Sequence, residues 1–167
     1  MSKPWLAWRM VGLAAHICIT MGWDNDSGML DDDEQVRRTK TLLFWHVYSL
    51  ERGLSIRLGR ASAIHDFDIT LSGRLSELSL PEPWPGMLSF WVGNAKIQGK
   101  LYEHLYSRVA LSTPENVLLA RAENLMEELK SLGLQNSYVR HLLTLLRYLH
   151  LLFSSNVYHY REGVSPE

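Results

Sequence analysis

A single cysteine, Cys18, stands in a chain of 167 residues. One thiol excludes an intramolecular disulfide and any structural zinc site built on several thiolates, and it suits a reducing compartment. Glycine-rich phosphate loops, nucleophile elbows and paired cysteines are also missing. Charge of either sign is barely in excess, at -1 formally. There is thus no overall basic field to drive sequence-independent binding to phosphates. Long uninterrupted apolar runs are scarce as well. The most apolar stretch, "PWLAWRMVGLAAHICITMGW", contains Arg9 and His16 and leads into no small-residue cleavage site, so it reads as a helix of a soluble protein rather than an anchor or leader.

Apolar residues make up 46% of the chain, enough for one core in a single domain, and their spacing is helical. Ser2 and Pro4 start a first helix and Gly22 ends it. Its polar stripe is Arg9, His16 and Thr20, so packing on more than one of its other sides is expected. The acids Asp31 to Glu34 favour the positive end of a second helix reaching about Leu58. Val36, Leu43, Val47, Leu50, Leu54 and Leu58 mark its expected buried face, and Gly59 suits a left-handed stop.

From Arg60 to Pro85 the periodicity lapses. "LPEPWPG" predicts a long irregular connection, with a possible short strand over Ala63 to Leu71. Met87, Phe90/Trp91, Ile97, Leu101, Leu105 and Val109 suggest a third helix. Thr113 and Pro114 open a fourth, with Leu118, Ala122, Leu125, Leu129 and Leu132 on one face before Gly133. A last helix is expected from Asn136 or Ser137 to about Tyr158. The fold class is therefore all-α, an irregular array of about five helices with a long proline-rich connection.

Several patterns invite chemistry. His141, His150 and His159 are spaced by nine residues, which alternates helix faces and prevents convergence on one ion. "DNDSG" begins like a calcium loop, but Met29 and Gln35 stand where its glycine and glutamate belong. "RRTK", Arg37 to Lys40, reads as a salt-bridged face after the preceding acids. "HDFD", His65 to Asp68, admits a metal-dependent hydrolase reading in which His65, Asp66 and Asp68 need further ligands, with His46 or His104 as the available ones. The alternative has Asp66 or Asp68 accepting loop N-H bonds while Ile64, Phe67 and Ile69 turn inward. A helical scaffold that only oligomerises is a third reading.

"AWRMVGLAAHICITMGWDND" and "RRTKTLLFWHVYSLERGLSIRLGRASAIHDFDITL" together resemble the regulatory middle homology region of fungal zinc-cluster transcription factors. The likeness is close over Trp5 to Leu71. Ile97 to Tyr160 follow only as helical pattern, with "KIQGKLYEHLYS" a weaker echo. On the recurrent positions sit Arg9, Gly12, Arg38, Trp45, Tyr48, Glu51, Arg52, Ser55, Gly59, Arg60, Ala63, Ile64, Asp66, Asp68 and Ile69. The resemblance implies structural roles for them, with no catalytic, cofactor or metal residue. Arg52 is expected to tie helix to loop, with Arg60 as a candidate second tie. Departures include Ala61, where the family has proline, "ITLSG", and "YHYREG" near the end.

The resemblance further implies a nuclear regulator of transcription that is not an enzyme. Protein partners or a small effector, and homo-oligomers, fall within that expectation. DNA and zinc would be held only through a six-cysteine module that a chain with one cysteine does not contain. Residues 1–167 are thus expected to be a partial regulatory domain.

Overall fold

The computed structural model describes residues 3–71, 75, 78, 80–81 and 83–134. The α-helices among the described residues are α1 (Pro4–Thr20), α2 (Glu34–Arg57), α3 (Trp84–Leu101), the short α4 (Arg108–Leu111) and α5 (Glu115–Leu134). No strand occurs among the described residues, so the fold is all-α, and the stretch from Ala63 to Leu71 holds a 3-10 turn at Asp66–Asp68 in place of the expected strand. The expected helix from Asn136 lies outside the described residues. The helices treated below belong to one compact unit, Met1–Leu132, with α5 running two residues past it.

Pro4 starts α1 where its missing N-H costs nothing. The helix ends at Gly22, whose φ of 69° only glycine adopts without strain. Gly28 folds back against this stop so closely that a Cβ on it would meet the Gly22 carbonyl at 2.2 Å. Asp33 caps α2 by accepting from Val36 N at 2.8 Å, leaving Asp31 and Asp32 before the helix rather than in it. Of the basic cluster, Arg37 donates to the carbonyls of Met29 and Asp32, and Lys40 pairs with Asp32 at 2.7 Å.

The helix faces differ from the sequence reading in a systematic way. On α1 only Ala15 and Cys18 are buried, while Leu6, Met10, Leu13 and Ile17 are exposed, so this helix packs on one side, against α2. On α2 the buried stripe is Thr41, Phe44, Trp45, Tyr48, Glu51, Arg52 and Ser55. Val36, Leu43 and Leu50, expected inside, are exposed. Hydrophobicity alone mislocated the face because aromatics and paired polar groups, not leucines, fill the centre. Phe44, Trp45 and Tyr48 form a ring cluster, with Phe44 to Trp45 at 5.2 Å and Trp45 to Tyr48 at 5.4 Å, both edge-on.

Helix α3 begins three residues before Met87 and buries Leu88, Phe90, Val92, Ala95 and Ile97. It does not continue to Val109. A π-turn over Tyr102–Tyr106 breaks it, Ser107 caps α4, and Val109 is exposed. In α5, Leu125 is buried, with Leu118, Ala122, Leu129 and Leu132 partly so, as its spacing predicts. Leu132 packs against Gly93 of α3.

Candidate functional site

The last two turns of α2 and the loop that follows form a buried polar junction. Helix α2 stops at Gly59, whose φ is 60°, and the chain turns back along the helix it has just left. Arg60 N donates to Ser55 O at 2.9 Å. Further on, Thr70 N donates to Asp24 O at 3.1 Å, and Asp26 N to Thr70 Oγ1 at 3.2 Å, which pins the loop's far end to the α1–α2 turn.

Between these two attachments, Glu51 and Arg52 face the loop from adjacent positions on the helix. They are only 1% and 3% exposed, so both charges are desolvated and require partners. Glu51 Oε1 accepts from Ser55 Oγ at 2.7 Å and from Ala63 N at 3.1 Å, and its Oε2 accepts from Ser62 Oγ. Arg52 Nη2 donates to Ile64 O at 2.9 Å and to Asp66 Oδ1 at 2.8 Å. The same Asp66 oxygen accepts from Tyr48 OH at 2.6 Å, and the Arg52 guanidinium lies over the Tyr48 ring at 5.3 Å. Trp8 Nε1 donates to Ser55 Oγ at 2.9 Å and carries the junction into α1.

The bonds to Glu51, Arg52 and Asp66 are charge-assisted and mutually oriented, and they hold the loop against the helix. Burial pushes the Tyr48 hydroxyl far above its usual range. Its bond to Asp66 adds to the rise, and Arg52 opposes it. Tyr48 therefore stays a donor throughout the physiological range.

The junction unites Tyr48, Glu51, Arg52, Ile64 and Asp66, with Trp45 buried alongside in the ring cluster. Arg38, more than three turns earlier on α2, is half-buried, while Arg60 and Asp68 are exposed. The second tie is thus Glu51 and not Arg60. Ile64 is buried and Ile69 packs against the core, but Phe67, expected inside, is 83% exposed. It stacks on His65 at 5.2 Å, with ring planes 8° apart, at the loop's outer tip.

Three contributors escaped the sequence reading. Ser62 and Trp8 have no signal beyond residue type. Gly99 of α3 weakens a helix on propensity alone, yet a Cβ there would meet Arg52 Nη1 at 2.0 Å. Its missing side chain makes room for the guanidinium.

As a metal centre the loop is poorly arranged, since one Asp66 oxygen is occupied by Arg52 and Tyr48. Among the described residues no group of three or more His, Cys, Asp or Glu side chains could hold an ion. No described helix is long and apolar enough to cross a membrane.

This junction closes a stretch that lies wholly inside the match to the family described as the Fungal specific transcription factor domain, which covers residues 1–112. The chain belongs to that family, and it is a regulatory transcription-factor domain. Two curated relatives are similar to it. The "Uncharacterized transcriptional regulatory protein C530.05" of Schizosaccharomyces pombe is 34% identical over 68 residues, covering 41% of this chain and 9% of that protein. The "Lactose regulatory protein LAC9" of Kluyveromyces lactis is 27% identical over 114 residues, 66% of this chain and 13% of that protein. The chain therefore spans only about a tenth of the length of these relatives. No solved structure matches.

Proposed function

We propose that the domain regulates transcription in the nucleus without chemistry or a cofactor of its own, by presenting the tip of the α2 loop to a protein partner. DNA contact and zinc binding belong, in this reading, to a separate cysteine-rich module. The observation that carries the proposal is Phe67. A large aromatic left 83% exposed on a loop anchored by buried charge-assisted bonds is a pre-organised anchor of the kind that dominates protein interfaces. Holding it rigid removes ordering cost at the moment of binding. Occupancy of the tip would then be transmitted to α2 through Asp66 and Arg52. A small effector is the second form of regulation the family resemblance allows.

Tethering the chain to an unrelated DNA-binding domain upstream of a reporter tests this reading. Phe67→Ala should abolish the effect on the reporter while leaving the thermal midpoint unchanged. An unchanged reporter response would remove the tip from the mechanism. In a mobility-shift assay the purified chain should form no sequence-selective DNA complex, and a tight selective shift would overturn the division of labour.

A further inference from the structure

The outer face of α1 carries an apolar seam that nothing described covers. Leu6, Met10, Leu13 and Ile17 recur at steps of four, three and four, the spacing of a coiled-coil seam. They are 45%, 60%, 56% and 51% exposed, on the side away from buried Ala15 and Cys18. One flank of the seam is Ala7 and Ala14, small enough for close backbone approach, and the other is Arg9 and His16.

We propose that this seam pairs with the same seam of a second copy, antiparallel, about a two-fold axis between Met10 and Leu13. Three observations select that occupant. The first is self-complementarity: the steps read the same in both directions, so reversing a copy sets Leu6 opposite Ile17 and Met10 opposite Leu13, without a gap. The second is charge. Six acids lie between Asp24 and Glu34, just past the C-terminal end of α1, and Arg37 and Lys40, which reach back onto this turn, offset only part of that charge, whereas Lys3 and Arg9 lie towards the N-terminal end of α1. Parallel pairing would crowd two acidic turns together. Antiparallel pairing separates them and brings each towards the other copy's basic end, with the helix dipoles opposed.

The third is area. With Ala7, Ala14 and Met21 the seam offers on the order of 600 Å² per copy, so a pair buries about 1,200 Å², the lower edge of the range for stable specific interfaces. The result is a closed dimer of moderate affinity, its contacts made by α1 alone.

Sedimentation equilibrium of the whole chain at about 50 µM should give twice the mass of 19.2 kDa. Leu13→Glu would bury an unpaired carboxylate at the axis and should weaken dimerisation by at least ~30-fold with the far-ultraviolet circular dichroism unchanged. Ile17→Glu repeats the test nearer the helix end. Orientation is read by cross-linking, since Cys18 is buried and does not compete. A mixture of Leu6→Cys and Ile17→Cys chains should form a mixed disulfide, while Leu6→Cys alone should not pair with itself. A monomeric chain, open-ended aggregates, a dimer indifferent to both glutamates, or self-linked Leu6→Cys would each overturn the proposal.

Discussion

Arg52 makes the heaviest demand on its surroundings of any side chain at the junction. Replacing it with alanine removes both donors that hold Ile64 O and Asp66, and empties the space Gly99 keeps open. Asp66 remains partly hydrated, which moderates the loss, so Arg52→Ala should cost about 2 to 3 kcal/mol in denaturant unfolding. Arg52→Lys should recover less than half of this, because the lysine nitrogen ends one atom short of Nη2, which makes both bonds. Tyr48 yields a pH signature. Its folded pKa lies above its unfolded value of ~10, so its contribution is complete below that pH and is lost as pH rises beyond it. Stability should therefore fall above about pH 10 with a component near 1.4 kcal/mol per pH unit that Tyr48→Phe removes. Side-chain identity made Arg52 legible as a tie in advance. Glu51's role was not, because its partners Ser62 and Ala63 come from a loop whose return path no local pattern specifies.

Helix existence was legible from spacing, stops and caps; Gly22 and Gly59 end their helices as read. Which face turns inward was less so. In α2 two stripes compete, one of leucines and valines and one of aromatics and polar residues. The second is buried because its polar members satisfy one another. The π-turn after Leu101 was invisible, since apolar spacing continues through Leu105 to Val109 while the backbone does not. Packing between elements also gives Gly99 a meaning that propensity reverses. Gly99→Ala should help an isolated helix by about 1 kcal/mol. Here it should destabilise, because the added methyl must displace a buried guanidinium. Thermal melts of Gly99→Ala against Gly12→Ala, where a Cβ meets nothing within 4 Å, separate the two effects.

Over the whole molecule, Cys18 is a reporter of integrity. It is buried on the inner face of α1, and desolvation raises its thiol pKa, with nearby Asp24 adding to the rise against an opposing backbone bond. Both burial and a scarce thiolate slow attack on a disulfide reagent. Labelling of the native chain should run about a thousand-fold slower than in denaturant, and Arg52→Ala should narrow that gap. The all-α class and the family resemblance were readable across the same stretch, Trp5 to Leu71, that later proved to hold the junction, because its contacts are made within that stretch. The tie of Trp8 to Ser55 spans 47 positions and that of Arg52 to Asp66 only 14. Such closeness bears on the order of assembly. A chain emerging from the ribosome at ~5 to 20 residues per second completes α1, α2 and the returning loop before α3 is made. The polar lock can therefore close first, and Gly99 lets α3 arrive afterwards without forcing it open.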